Sequence, residues 1–410
     1  MVNPESVESK PIHTGLKRTV SLPMVVFYGL GNILGAGIYV LIGKVAGVAG
    51  YYTPLAFLFS SLIVVATAFS YAELVSRYPR SAGEAVYVQQ GFGVQTLSTI
   101  VGLLICLAGI VSSAALLKGF VGYLKVLLPV NELEVVIVLS IVLGLIAVWG
   151  ISQSLKIVAF ITVLEILGLL AVIIAGFEVS LAELPVAAAN SEANWIGIWY
   201  GAFLAFYAFL GFEDMVNIAE EVNRPRIYLP VAIVIALTLA TLMYISVSFV
   251  AVRVLAPEVL SSSDAPLAAI VSKATGFGGG IIAVIGLLAV INGALAQIIM
   301  SSRVIFGMAR QGWIPTIFDW VWPVTRTPVL ATGLTTACVA VMALSLPIVS
   351  LAAITSLLVL IVFTLVNVSL IRIKMRDEEK QVLFEVPSWV PVAGVVTSLG
   401  LALFSLTTFK

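Results

Sequence analysis

The stretch Tyr28-Gly29-Leu30-Gly31-Asn32-Ile33-Leu34-Gly35-Ala36-Gly37-Ile38-Tyr39 lies inside a long apolar run, residues 22 to 48, with Gly35-Ala36-Gly37 near its middle. Glycine is among the poorest helix formers, so this density predicts an unwound point in a segment that is otherwise helical. A second run, 194 to 219, carries Leu210-Gly211-Phe212-Glu213-Asp214, in which two acids follow a glycine deep in apolar sequence. Unwound backbone at membrane depth is tolerated only where it lines a cavity or is buried in protein. Interrupted segments in corresponding halves of a chain are the main sequence pointer to a transporter's binding site. Close helix packing through small residues is the competing reading of the glycines.

Outward from these two runs, the whole chain reads as membrane protein. Of its 410 residues 61% are hydrophobic and only 10% charged, against about 25% charged in soluble domains. A helix needs roughly 20 apolar residues to cross a bilayer, and about 11 runs qualify: 22–48, 53–76, 95–127, 133–150, 155–176, 194–219, 229–254, 277–305, 328–346, 349–372 and 388–408. The alternating ten-residue segments of a β-barrel are absent. Lys plus Arg and Asp plus Glu both number 21, so nucleic acid is not an expected partner. His13 is the only histidine, and Cys106 and Cys338 sit in apolar runs. No metal, cofactor or disulfide framework is expected.

Positive residues are retained on the cytoplasmic side. With the N terminus inside, Lys10, Lys17, Arg18, Arg77, Arg80, Lys156, Arg224, Arg226, Arg303, Arg310, Arg326, Arg372, Lys374, Arg376 and Lys380 fall on the inner side, and Lys44, Lys118, Lys125, Arg253, Lys273 and Lys410 outside. An odd number of crossings then puts the C terminus outside. The expected organisation is a cytoplasmic tail at 1–20, a first repeat of five helices at 21–177, a second at 194–373, a cytoplasmic loop at 374–387 and an eleventh helix at 388–410. The expected location is the cell membrane, plasma or inner.

Helix termini supply chemistry at such breaks. A half-helix beginning near Gly37 offers free N–H groups and partial positive charge to a carboxylate. The free carbonyls expected around Gly31 to Leu34, and around Tyr207 to Leu210, suit an ammonium group. An α-amino acid carries both charges on one carbon, so backbone alone can bind its common part, with Tyr207 and Phe209 covering it.

The first quoted stretch resembles the opening helix of the amino acid, polyamine and organocation permeases. Its continuation through Lys44-Val-Ala-Gly47 is similar to their cationic amino acid transporter branch. Four other matches follow in order: Arg77-Tyr-Pro-Arg-Ser-Ala-Gly-Glu-Ala-Val-Tyr87; Phe206-Tyr-Ala-Phe-Leu-Gly-Phe-Glu213; Glu220-Glu-Val-Asn-Arg-Pro225; and Ser302-Arg303 with Met308-Ala-Arg-Gln-Gly312, before Thr325-Arg-Thr-Pro328. The resemblance spans roughly residues 16 to 408. It implies an all-α integral membrane protein with the five-plus-five inverted-repeat fold of the leucine transporter, its first and sixth helices discontinuous. It also implies alternating-access transport of one amino acid held between the first, third, sixth and eighth helices. Carried over residue by residue, the contacts are Ile33, Gly35, Ala36 and Gly37, then Tyr207, Ala208 and Leu210, with Tyr207 as the aromatic gate. Relatives often have a twelfth helix; the five-plus-five core ends near residue 372, so the site is expected not to depend on it.

Glu165 sits near the middle of the fifth run. In proton-coupled relatives the position counted from the turn Gly150-Ile-Ser-Gln-Ser154 is usually a lysine, and here the charge is reversed. A carboxyl at this depth costs roughly 2.5–3.5 kcal/mol on insertion scales and is kept mostly for function. It reads first as a proton carrier, next as a ligand for sodium or a cationic substrate, and otherwise as a structural group paired with Asn292, Gln297 or Ser301. Glu213 and Asp214, with Asn292 and Gln297, are candidates for site or gate support, and the two acids admit lysine, arginine or ornithine as substrates. Glu73 is expected to pair with Arg77, Glu220 and Glu221 with Arg224, Arg226 or Arg80, and Lys118 to snorkel. The expectation is therefore an amino acid permease working by proton-coupled symport. Sodium coupling, exchange, uniport and a transport-inactive sensor are the alternatives. An enzyme is not expected, since no nucleophile–base set lies in the membrane.

Overall fold

The structure, a computed structural model, describes residues 18–80, 83–149, 155–179, 193–310, 312, 314–325, 327–376 and 382–408; the side chains of residues 36, 155, 156 and 408 lie outside that description. So do the tail with His13 and the turn Gly150–Ser154. The described residues form fifteen α-helices. Those that match the predicted runs are α1 (Leu22–Leu34) with α2 (Ala36–Ala49), α3 (Thr53–Arg77), α5 (Gln95–Leu127), α6 (Glu132–Trp149), α7 (Leu155–Glu178), α8 (Trp195–Phe206), α9 (Pro225–Val254), α12 (Gly280–Arg310), α13 (Val329–Ser345), α14 (Ile348–Met375) and α15 (Trp389–Thr408). Each predicted run thus has a helical counterpart. Short helices α4 (Gly83–Phe92), α10 (Pro257–Ser262) and α11 (Pro266–Thr275) lie between them. No strand is present among the described residues, beyond a single bridge between Val20 and Val222.

Local sequence explains the ends. Asn194 caps α8 by accepting the Gly197 N–H at 3.1 Å, as short polar side chains do at this position. α9 starts four residues before the predicted 229, because Pro225 suits a first helical position where an N–H is unneeded. Lipid-facing surfaces are apolar, with Leu145, Phe160, Ile174, Leu242 and Val341 exposed. Trp195, Trp199, Trp320, Trp322 and Trp389 are exposed near helix ends, the expected interfacial positions.

Packing repeats in matched pairs. α1 lies on α9 and α8 on α3; α7 lies on α12 and α14 on α5; α1 also meets α7, as α8 meets α14. Two-fold-related halves, α1–α7 and α8–α14, would give this pattern, with α3 on α9 and α5 on α12 as the self-matched contacts.

One buried ion network ties the scaffold together at the end of α3. Glu73, fully buried, accepts from Arg77 Nε at 2.8 Å, from Lys374 Nζ at 2.9 Å and from the Val386 N–H at 2.9 Å. The Arg77 pair was expected from spacing, whereas the contacts from α14 and from the segment before α15 were not. Removing one partner from a buried pair typically costs about 3–5 kcal/mol, and exposed pairs contribute about 0–1. Glu73→Gln should therefore lower the thermal unfolding midpoint of the purified protein by several degrees. Glu385→Gln, which removes an acid 64% exposed on the same two cations, should change it little. Equal shifts would mean that the buried carboxylate does not hold these elements together.

Candidate functional site

Both predicted breaks exist, and they interlock. α1 stops at Leu34, Gly35 leaves helical geometry, and α2 begins at Ala36, one residue before the expected Gly37. α8 stops at Phe206; a single turn, Tyr207–Phe209, leads to extended Leu210, then Gly211 at φ +118° and a second turn, Glu213–Ile218. A Cβ on Gly37 would lie 2.5 Å from Ala208 Cα, and one on Gly211 would lie 2.6 Å from the Asn32 carbonyl. Each break therefore seats the backbone of the other against a glycine.

The free carbonyls are fewer than expected, because the chain uses some of them itself. Gly31 accepts from the Gly35 N–H at 3.1 Å, and Tyr207 from the Leu210 N–H at 3.3 Å. The carbonyls of Ile33 and Ala208 converge on one hydroxyl, that of Tyr244 in the middle of α9, 2.8 Å from Ala208. Its single proton serves one carbonyl at a time, so the two acceptors, one from each break, share one donor. Tyr244 is fully buried, with its ring against Phe57 and Phe209. Phe209 belongs to this aromatic cluster, packed against Phe57 and Tyr244. Tyr207 does stand at the break, its hydroxyl 2.9 Å from Ser112 Oγ on α5 and 3.2 Å from the Ser112 carbonyl. A hydrogen bond of this kind is worth about 0.5–1.5 kcal/mol net. Tyr244→Phe should accordingly weaken substrate affinity by roughly tenfold while leaving folding intact, as equilibrium binding and thermal unfolding would show. Unchanged affinity would mean that the carbonyls need no tether.

Glu165 faces the first break. On α7 the residues Thr162, Glu165 and Gly168 recur every third position and line α1 and α2: Thr162 donates to the Phe27 carbonyl at 3.2 Å, Glu165 Oε1 lies 3.8 Å from where a Gly35 Cβ would be, and Gly168 abuts the Tyr39 hydroxyl. That hydroxyl donates to the Glu165 carbonyl at 3.1 Å, and Tyr123 donates to the Tyr39 carbonyl at 2.7 Å. Glu165 is fully buried, and neither carboxylate oxygen has a hydrogen-bond partner among the described residues. Two of the three expected structural partners are engaged elsewhere: Gln297 donates to Asp214, and Ser301 to the Cys106 carbonyl.

The amino acid permease family profile matches residues 20–409. The chain belongs to this family. A mitochondrial cationic amino acid transporter 3 of Arabidopsis thaliana is 30% identical over 88% of this chain. The branched-chain amino acid permease BcaP of Bacillus subtilis is 27% identical over 92% of the chain and 85% of its own length. A methylthioribose transporter of the same bacterium is 26% identical over 96% and 89%. The chain spans 63% of the length of the plant protein. It is a multi-pass membrane protein.

In this chain the acids after the second break are held in place. Glu213 Oε2 accepts the Gly211 N–H at 2.8 Å, bracing the turn, and Asp214 Oδ2 accepts Gln297 Nε2 from α12 at 3.2 Å. Glu84, on the short helix α4, joins this region; burial pushes its carboxyl up to about 8, with the Asp214 charge adding to the shift. Asn292 is buried on α12. Ala36 enters only through its backbone at the start of α2. Lys118 binds Glu132, at the start of α6, at 2.6 Å. Arg80, Arg224 and Arg226 form no ion pair among the described residues. Tyr244, Ser112, Tyr39 and Glu84 went unread, because a tyrosine or serine in an apolar run has no spacing signal that distinguishes it from packing.

Proposed function

We propose that this permease is a secondary transporter that carries amino acids across the membrane by alternating access, in symport with protons. The reading rests on the interlocked breaks, where the carbonyls of Ile33 and Ala208 meet beside the start of α2. A ligand ammonium fits the carbonyls, and its carboxylate fits the N–H groups of Ala36 and Gly37 at the positive end of α2, beside Gly35, whose own N–H is held by Gly31. Tyr207, tethered to α5, closes over the pair, while Leu210 continues the wall. The two halves, 21–177 and 194–373, form the repeats that rock about this point.

Specificity for the side chain belongs to the surrounding helices. Glu213, Asp214 and Gln297 place acid and amide groups next to the second break, which favours a cationic side chain, and the plant relative's name agrees. Glu165 supplies the coupling: a buried carboxyl without partners needs a proton or a cation to neutralise it, and it lies at the break that must move. The N terminus faces the cytoplasm, following the distribution of arginines and lysines.

Uptake of radiolabelled lysine, arginine, leucine and alanine into proteoliposomes, with and without an inward proton gradient or a sodium gradient, tests the reading. Gradient-driven accumulation of at least one cationic amino acid is the expected result. Accumulation driven by sodium alone would reassign the coupling ion, and binding without flux would replace transport by sensing.

A further inference from the structure

Where α3 ends and α9 begins, the structure holds a cavity of about 360 Å³ lined by Arg77, Tyr78, Pro79, Arg80, Gln90 and Arg226. Three guanidinium groups in one small space are unusual in a chain with no net charge, and they are not equally committed. Arg77 is neutralised by the buried Glu73. Arg80 and Arg226 are exposed and carry no ion pair among the described residues. Arg226 also stands in the first turn of the 30-residue helix α9, whose N-terminal end adds partial positive charge. Guanidinium presents a planar fork of donors that matches phosphate as well as carboxylate geometry, and two such forks facing one space suit an anion with several oxygens, such as a phosphate.

What lies beside the cavity decides the source of the phosphate. From Arg226 the exposed residues of α9 continue as Ile227, Val231, Ile235, Leu239 and Leu242, a stripe at three- and four-residue spacing along one helix face. A molecule whose phosphate sits between Arg80 and Arg226 can lay an acyl chain along this stripe without burying a polar atom. We infer that this cavity binds the headgroup of an anionic phospholipid, with its chain on the outer face of α9. Basic pockets between transmembrane helices bind such headgroups on the cytoplasmic side, the side to which the sequence assigns these arginines. A lipid there bridges the end of α3, the α4 segment and the start of α9, all of which adjoin the second break.

The test uses the full chain, delipidated in an uncharged detergent and titrated with short-chain phosphatidylglycerol, short-chain phosphatidylcholine or inorganic phosphate, with adducts counted by native mass spectrometry. One phosphatidylglycerol should bind more tightly than phosphatidylcholine. Arg80→Gln and Arg226→Gln should each reduce that preference about fivefold, and the double variant should abolish it. The melting midpoint in detergent alone should be unchanged. Should the double variant fail to fold, the single Arg226→Gln variant carries the same expectation. Equal binding of the two lipids, or a preference that survives both substitutions, overturns the inference. Displacement of phosphatidylglycerol by equimolar inorganic phosphate would show a free-anion site and overturn it as well.

Discussion

Glu165→Gln is expected to abolish accumulation driven by a proton gradient while leaving exchange of labelled for unlabelled substrate intact. One pH unit across the membrane, at one proton per substrate, supports about tenfold accumulation, since about 1.4 kcal/mol is a factor of ten. The variant should bring that ratio to one. Glutamine keeps the size of the side chain and its amide remains neutral throughout, so the state that glutamate reaches only with a bound proton becomes permanent. Exchange needs only the substrate-loaded carrier to turn over, and that form survives. The position explains why coupling and movement would be joined here: Glu165 Oε1 lies against Gly35, where α1 ends, and its backbone carbonyl holds Tyr39 of α2. A proton lost from this carboxyl leaves an unpartnered charge between the two half-helices, which only rearrangement or a cation can relieve. Undiminished gradient-driven accumulation in the variant would make Glu165 a structural group. Loss of exchange together with accumulation would point to a substrate ligand instead.

The parts of this site that could be read in the sequence are those written in local composition. Gly35-Ala36-Gly37 and Leu210-Gly211 announce breaks because glycine weakens a helix wherever it occurs, and Glu165 stands out because an acid at membrane depth is costly. The eleven runs were legible for the same reason, each needing only its own residues. What went unread depends on distant partners. Tyr244 reaches the Ile33 carbonyl from 211 residues away, and Val386 reaches Glu73 from 313. Nothing near either residue signals the meeting. The pairing of Lys118 with Glu132 was missed although only 14 residues separate them, because the turn between α5 and α6 decides whether the two side chains meet. The free carbonyls were overcounted because backbone hydrogen bonds at Gly31 and Tyr207 close locally, and composition does not show how a broken helix re-satisfies its last turn.

Gly211→Ala should remove transport almost entirely, by about a hundredfold or more, and should also lower stability. Two separate costs meet at this residue. Its φ of +118° is one that side chains rarely adopt, and holding a non-glycine residue in such backbone costs about 1–3 kcal/mol. The added Cβ would in addition lie 2.6 Å from both the carbonyl carbon and oxygen of Asn32. These are backbone atoms, so no rotamer change can clear them, and the two breaks must separate. Gly276→Ala isolates the first cost, because that residue has φ +71° with nothing within 4 Å of its Cβ position. It should reduce stability by about 1 kcal/mol and leave uptake near wild type. Asn32→Gly should not rescue Gly211→Ala, since the obstructing carbonyl remains. Gly37→Ala, which meets Ala208 Cα from the opposite direction, should reproduce the transport defect without the φ strain. If Gly211→Ala transports as well as Gly276→Ala, the close approach of the breaks is dispensable and the binding point between them with it. If Gly37→Ala fails in the same way as Gly211→Ala, the two glycines perform the same task in the two halves of the chain, each letting its own helix end admit the other's backbone.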